Sequence, residues 1–354
     1  MQDGNRMEPG MTIGLDLGDK FSRFCVLDAS GEVLEEGRVA TTTPGLSQRF
    51  SGLAPCRVAL EVGTHSPWVQ RLLVGLGHEV LVANARKVRL IHDNESKDDR
   101  LDAERLARLA RVDPSLLHPI DHRDAEAQET MAELRSRQAL VETRAKLVNH
   151  VRGAVKSHGS RLKSCSTPSF HKQAAGQIPE GLQPALAPVL ETIGELTSKI
   201  RRSDRRIEHL AAERYPQTTL LRQVAGVGAL TALWYVLVIG NPRRFRSSRR
   251  LGAYLGLRPR RRQSGDGDPE LRITKTGDRE LRRLLVSAAQ YILGPFGPDS
   301  DLRRWGLALA ARGRKSAKKR AVVAVARKLA VLLHALWINA EVYEPLRNSQ
   351  AAAA

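Results

Sequence analysis

The sequence predicts an α/β domain at the N-terminal end of the chain, followed by two largely helical regions. Three observations carry this reading. Short alternating apolar runs bounded by Gly, Pro and Asp fill residues 11–120. Apolar residues recur at seven-residue intervals through residues 121–214. Between residues 215 and 345 apolar helical stretches alternate with dense Arg and Lys. Residues 1–10 and 346–354 carry neither pattern and read as flexible tails.

In the first region MTIGLDLG reads as a strand, FSRFCVLD as its hairpin partner and GEVLEEGRVATT as a third strand after the turn at Gly31. CRVALEV and HEVLVAN are a fourth and a fifth strand. SPWVQRLLVGLG lies between them, with helical apolar spacing and a closing Gly77. Three consecutive strands followed by alternating helices and strands is the order of ribonuclease-H-like folds, and actin-like ATPase domains share it.

The middle region predicts two long helices. One spans roughly Asp124 to Lys156, with Leu134, Val141, Val148 and Val155 seven apart. The other carries Leu186, Ile193, Ile200 and Ile207 at one heptad position and Val189, Leu196 and Leu210 at the other, broken once at Ser203. HGSRLKSCSTPSFHKQAAGQIPEG, rich in Gly, Ser and Pro, reads as the loop between them. The pattern fits a helical hairpin within one chain and a coiled coil between chains equally well. In the last region LLRQVAGVGALTALWYVLVIG holds a Gly-Val-Gly turn between two apolar helices. It resembles a helix-hairpin-helix, in which backbone N–H groups meet a phosphate.

At 354 residues, 42% hydrophobic and 27% charged, the chain has ample material for a core. No stretch approaches the roughly 18 to 20 uninterrupted apolar residues of a membrane span, and the N-terminus lacks the apolar run of a signal peptide. The expected location is cytoplasmic, without a membrane partner. Cys25, Cys56 and Cys165 have neither disulfide-framework nor zinc spacing. The net charge is +19, and residues 241–320 hold 22 Lys/Arg against 7 Asp/Glu. Such a surface seeks a polyanion, nucleic acid before acidic membrane, because each phosphate it neutralises releases a condensed counterion.

Four carboxylates stand out. Asp16 lies in the apolar strand IGLDLG and Glu61 ends another, where a buried charge is costly unless a cation compensates it. Asp99 and Asp102 are three apart on a predicted helix and share a face, although Asp98, four before Asp102, shares it almost as well. Together they offer the hard oxygen ligands that Mg2+ prefers, in a form suited to phosphoryl transfer. Taken singly, each has a plainer reading. GLDLGDK also matches the phosphate hairpin of actin-like ATPases, Glu61 fits a solvated strand end, and KDDRLDAER suits the positive end of a helix. Ser264 is the second centre. It sits in RPRRRQSGDGD behind Arg258, Arg260, Arg261 and Arg262, which suit a phosphate held against its hydroxyl, as do Arg272 and Lys275 in RITKTGD.

Together these blocks resemble the DEDD transposases of bacterial insertion sequences guided by a bridge RNA, a family that includes the pilin-gene inversion recombinase. IGLDLG, LEVGTHSPW and KDDRLDA are similar to the blocks of its RuvC-like domain. GVGALTA, LGLRPRRRQSGD, RITKTGDRELRRLL and AVARKLAVLLHALW are similar to those of its C-terminal transposase domain. The resemblance implies three domains: a RuvC-like DEDD domain at 11–120, a helical dimerisation region at 121–214 and a mostly α transposase domain at 215–345. It implies that Asp16, Glu61, Asp99 and Asp102 bind Mg2+, with Asp99 preferred to Asp98, and that Ser264 attacks a DNA phosphate to form a phosphoserine link.

It further implies a bridge RNA as partner beside the element ends and target DNA, and association with the bacterial nucleoid. The expected assembly is a homo-oligomer, a dimer or a dimer of dimers, with the two centres meeting across protomers. The low aromatic content, 4%, agrees with contact to backbones more than with base stacking. His65, in VGTHSPW, departs from the family spacing, and packing is its plainer role. The alternative reading is a RuvC-like, metal-dependent junction nuclease that uses water as its nucleophile.

Overall fold

The computed structural model describes residues 10–84, 99–260, 271–313 and 316–348, with the backbone alone at 99 and 100. The chain forms two compact units, residues 1–124 and 125–354.

Unit 1 is built on a mixed five-stranded sheet ordered β3-β2-β1-β4-β5. β1 (Thr12–Asp16), β2 (Phe21–Leu27) and β3 (Val33–Ala40) form an antiparallel meander, turned tightly at Gly18 and Gly31. α1 (Thr43–Phe50), capped by Thr42, leads into β4 (Arg57–Glu61), which pairs parallel to β1. α2 (Ser66–Gly75) crosses over to β5 (Glu79–Ala83), parallel to β4. α3 (Asp99–Val112) completes the unit. The strand alternation divides the side chains between two faces. Ile13, Leu15, Val58 and Leu60 meet Leu46 and Phe50 of α1 and Val69 and Leu73 of α2, whereas Ala59 and Ala83 meet Leu106 and Ala110 of α3. Both faces of the sheet's centre are therefore covered, as its parallel strands require. This mixed sheet is consistent with a ribonuclease-H-like domain.

Unit 2 is mostly helical. α4 (Ala125–Ser157) and α6 (Gln183–Glu213) pack on each other, and the pairs Glu133–Arg206, Arg137–Asp204 and Arg144–Thr197 show that they run antiparallel. The heptad residues Leu186, Ile193, Ile200 and Ile207 are buried, as are Leu134, Val148 and Val155. These two helices therefore bury their seams within one chain. The connecting segment is more ordered than its Gly, Ser and Pro suggest. α5 (Phe170–Ala175) inserts Phe170, fully buried, between the two long helices with Val151, Val155 and Ile193.

The other ends of α4 and α6 share a core with the remaining helices: α7 (Gln217–Arg222), α8 (Ala229–Ile239), α9 (Leu251–Tyr254), α10 (Arg279–Leu293), α11 (Asp301–Ala311) and α12 (Ala317–Asn339). α8 is buried on nearly every side, and Tyr235 donates to the carbonyl of Ala330 at 2.7 Å. α12, at 23 residues, is long and apolar enough by mean composition to cross a membrane, although Arg327 and Lys328 interrupt its apolar run. Here it is a core helix: Ala321, Val325, Leu329, Leu333 and Leu336 are buried against its neighbours, with Arg327 and Lys328 on its outer side.

Burial pushes the thiols of Cys25 and Cys56 up to about 11, with Glu36 and Glu104 adding to the effect at Cys25. Cys165 is partly exposed. A thiol-alkylating reagent at neutral pH is expected to label Cys165 alone in the folded protein and all three cysteines in denaturant, as read by mass spectrometry. Labelling of Cys25 or Cys56 without denaturant would contradict this packing.

Candidate nucleic-acid-processing site

Two places in the chain gather the residues singled out by sequence, one in each unit. The first is an edge of the sheet. Leu15 of β1 pairs in parallel register with Leu60 of β4, so Asp16 and Glu61 follow one residue later, side by side on strands about 4.8 Å apart. By alternation they share a face with Gly14 and Ala59, the face that α3 covers.

Gly14 is where α3 touches the sheet. A Cβ there would lie 1.8 Å from the carbonyl oxygen of Ala103 and 2.6 Å from the nitrogen of Ala107. Toward its C-terminal end the helix is tied to the opposite edge: Arg57 donates to the carbonyl of Ala110 at 3.1 Å, and Arg111 to that of Asp28 at 3.1 Å. The direction is thereby fixed. The first turn of α3, with Asp99 and Asp102, lies toward the ends of β1 and β4 that carry Asp16 and Glu61.

Asp16, Glu61 and Asp102 are partly exposed. Asp16 also lies across from Arg23 of β2, and Asp102 leans toward Arg105, 3.7 Å away. The side chain of Asp99 and all of Asp98 lie outside the described residues. Among the described residues no three His, Cys, Asp or Glu side chains gather closely enough to hold a metal ion. The donor set is nonetheless of the right kind for a divalent ion: hard carboxylate oxygens at a solvent-accessible edge.

The turn after Glu61 is built firmly, a feature that the residue pattern does not reveal. Ser66, fully buried, accepts from the backbone N–H of Gly63 at 3.0 Å and meets Nε2 of His122 at 2.8 Å. Burial, with Arg71 and Arg123 nearby, holds the His122 pKa below the usual imidazole range. His65 accepts from the indole N–H of Trp68 at 3.2 Å and lies 3.5 Å from Asp19. Those neighbours give it a place in packing the turn.

The second place is the base of the segment that contains Ser264. Ser264, Arg261 and Arg262 lie outside the described residues, and the chain before and after them forms a short ladder. Arg260 N–H donates to the carbonyl of Arg272 at 3.0 Å and Thr274 N–H to that of Arg258 at 2.9 Å, around the antiparallel bridge Pro259–Ile273. Alternation then sets Arg258, Arg260 and Arg272 on one exposed face of this short ladder.

Two glycines let the ladder's roots cross. Gly256 (φ +66°) and Gly277 (φ +72°) sit where a Cβ would lie 2.3 Å from the nitrogen of Thr276 and 2.2 Å from the carbonyl oxygen of Tyr254. Lys275, itself left-handed at φ +58°, donates its N–H to the carbonyl of Gly256 at 3.1 Å. Asp278 caps α10 by accepting from Leu281 N–H at 2.7 Å and also accepts from Trp234 at 3.1 Å. Arg282 donates to the carbonyl of Leu255 at 3.1 Å and to that of Thr276. LGL, KTGD and RELRR are thus one framework holding the two ends of the serine segment. The Gly-Val-Gly turn between α7 and α8 lies against α10, with Gly226 next to Ala288 and Tyr291.

Comparison with known proteins finds family models that match two separate stretches of the chain. A transposase family model of the DEDD type of IS110 matches residues 13–159, and the model described as the transposase IS116/IS110/IS902 family matches residues 218–301. The chain belongs to the DEDD insertion-sequence transposase family. Its class of activity is DNA transposition or recombination.

Among relatives of this transposase, the one named for insertion sequence element IS1111A of Coxiella burnetii is 28% identical over 94% of this chain and 90% of its own length. A probable family 20 transposase of Pseudomonas aeruginosa is 29% identical over 94% of this chain and 98% of its own. A pilin gene-inverting protein of Moraxella lacunata is 30% identical over 34% of this chain and 36% of its own.

The close approach at Gly14 makes a direct prediction. Gly14→Ala is expected to destabilise the protein by about 3 kcal/mol, because two backbones would have to separate. Chemical denaturation measures this, and a change under about 0.5 kcal/mol would show that α3 does not sit on β1 in this way.

Proposed function

We propose that this transposase cuts and rejoins DNA with Mg2+ held by Asp16, Glu61, Asp99 and Asp102 and with the Ser264 hydroxyl as nucleophile. The observation that carries the first half is the meeting of the C-terminal ends of β1 and β4 with the first turn of α3. Three segments remote in sequence thereby bring carboxylates to one edge. Bound there, a divalent ion would polarise the phosphate and offset its charge. The chain's own contribution is to hold the carboxylates on rigid elements: Gly14 sets the distance of α3 from the sheet, and the hydrogen bond between Ser66 and His122 steadies the turn after Glu61.

The second half rests on the ladder formed by residues 258–260 and 272–274, which flank Ser264 in sequence. Arg258, Arg260 and Arg272 on one face, with Lys275 at the root, suit the non-bridging oxygens of a phosphodiester. In the step proposed, a bond forms between Oγ of Ser264 and phosphorus as the bond to the 3′ oxygen breaks. The serine gives up its proton, the 3′ oxygen takes one, and the strand end stays joined as phosphoserine. The chain would act as a homo-oligomer, directed by a structured bridge RNA that pairs with donor and target DNA. The relatives named as transposases and as a pilin gene-inverting protein support strand exchange over simple hydrolysis.

The variant Ser264→Ala is expected to abolish any covalent protein–DNA adduct, read as a band surviving denaturing electrophoresis, while leaving DNA binding intact. Asp16→Asn and Asp102→Asn should lower cleavage by at least about a hundredfold, again with binding retained. Undiminished cleavage by Ser264→Ala would instead identify a metal-dependent nuclease that uses water.

A further inference from the structure

A groove of about 500 Å3 opens beside the ladder, lined by Arg249, Arg250, Ala253, Arg258, Pro259 and Arg327. Its arginines come from three separate parts of unit 2: the turn before α9, the ladder's first segment and the outer side of α12. All four are exposed, and none has an acidic partner among the described residues. Elsewhere in the unit surface arginines are commonly paired, as Arg206 is with Glu133, Arg222 with Glu208 and Arg304 with Asp299. Four uncompensated guanidinium groups around one concavity repel one another, and an occupant carrying negative charge removes that cost.

The walls are fixed before anything binds. His334, fully buried in α12, meets the hydroxyl of Ser248 at 2.9 Å and the carbonyl of Pro242 at 2.9 Å, and its ring stands edge-on to Phe245. The carbonyl of Pro242 can only accept, so Nε2 carries the proton and Nδ1 accepts from Ser248. Ser248 immediately precedes Arg249 and Arg250. Across the groove Gly252 lets the stem of Arg327 lie against the backbone, since a Cβ there would come within 3.0 Å of it. Arg249, Arg250 and Arg327 are thus presented by a buried framework, which limits the entropy lost on binding.

We infer that this groove binds the sugar-phosphate backbone of the DNA strand that is cut, on phosphates flanking the one at the serine segment. Planar guanidinium groups match phosphate oxygens. Arg258 belongs to both the groove wall and the ladder face, so a backbone lying in the groove continues onto the ladder. No aromatic side chain lines the groove among the described residues, which argues for a backbone held by charge and against unstacked bases. The position of the cut strand rests on the proposed role of Ser264. Phosphate binding in the groove does not.

The test compares the full-length protein with the double variant Arg249→Ala/Arg250→Ala and the triple variant that adds Arg327→Ala. A triple variant remote from the groove, Arg135→Ala/Arg202→Ala/Arg205→Ala, removes the same charge from other exposed positions. The probe is a mixed-sequence DNA duplex followed by fluorescence anisotropy over a series of salt concentrations, beside an RNA duplex of equal length. The double and triple groove variants are expected to weaken DNA binding at least about tenfold at moderate salt. The slope of log affinity against log salt should also become shallower by about 0.9 for each phosphate that is no longer neutralised.

An equal weakening in the remote variant would reduce the groove to general charge and overturn the inference. So would a weakening confined to the RNA duplex, or unchanged binding by the groove variants when circular dichroism shows them folded. Ser264→Ala should bind like the parent, so failure of the serine reading, seen as a persisting adduct, is separable from failure of the groove.

Discussion

The approach of two backbones at Gly14 governs unit 1. Helices are held off a sheet when side chains intervene. Here the absence of one lets α3 descend until Ala103 and Ala107 touch β1. Every carboxylate of interest depends on that distance, because Asp102 is one residue from the point of approach and Asp16 two residues along the strand. The ties of Arg57 and Arg111 at the far end stop the helix from sliding, so register and depth are set together.

The same device recurs in unit 2 with different chemistry. Gly256 and Gly277 allow two strands of chain to cross, Arg282 takes the carbonyls of Leu255 and Thr276 beside the crossing, and Asp278 caps the helix that follows. Both candidate sites therefore stand on close backbone packing that admits no larger residue, while the charged groups above it remain open to solvent. Rigid footing below and exposed charge above is the arrangement a protein needs to hold a polyanion without first reorganising.

Much of this is legible in the sequence. The five strands are where apolar alternation puts them, and the heptad residues Leu186, Ile193, Ile200 and Ile207 face inward as their spacing requires. Asp16 and Glu61 announce themselves as carboxylates in apolar strands. The short α1 leaves no such trace, because TPGLSQRF holds too few apolar residues to show a period and its start depends on the Thr42 cap. α5 is hidden for a similar reason: one buried residue, Phe170, decides it. Gly14 is a readable signal, since a glycine inside a strand marks close approach, but nothing local says what approaches.

The sequence by itself determined which segments are strands and helices, which residues bear charge and which family the blocks resemble, because these follow from local periodicity and residue chemistry. Only the tertiary structure decided which charges become neighbours. Arg327 joins Arg249 and Arg250, nearly eighty positions earlier, and His122 reaches Ser66, because packing of apolar faces brings their elements together. Those neighbours are chosen by long-range burial of surface that lies elsewhere on each element, so no pattern in the residues themselves records the meeting.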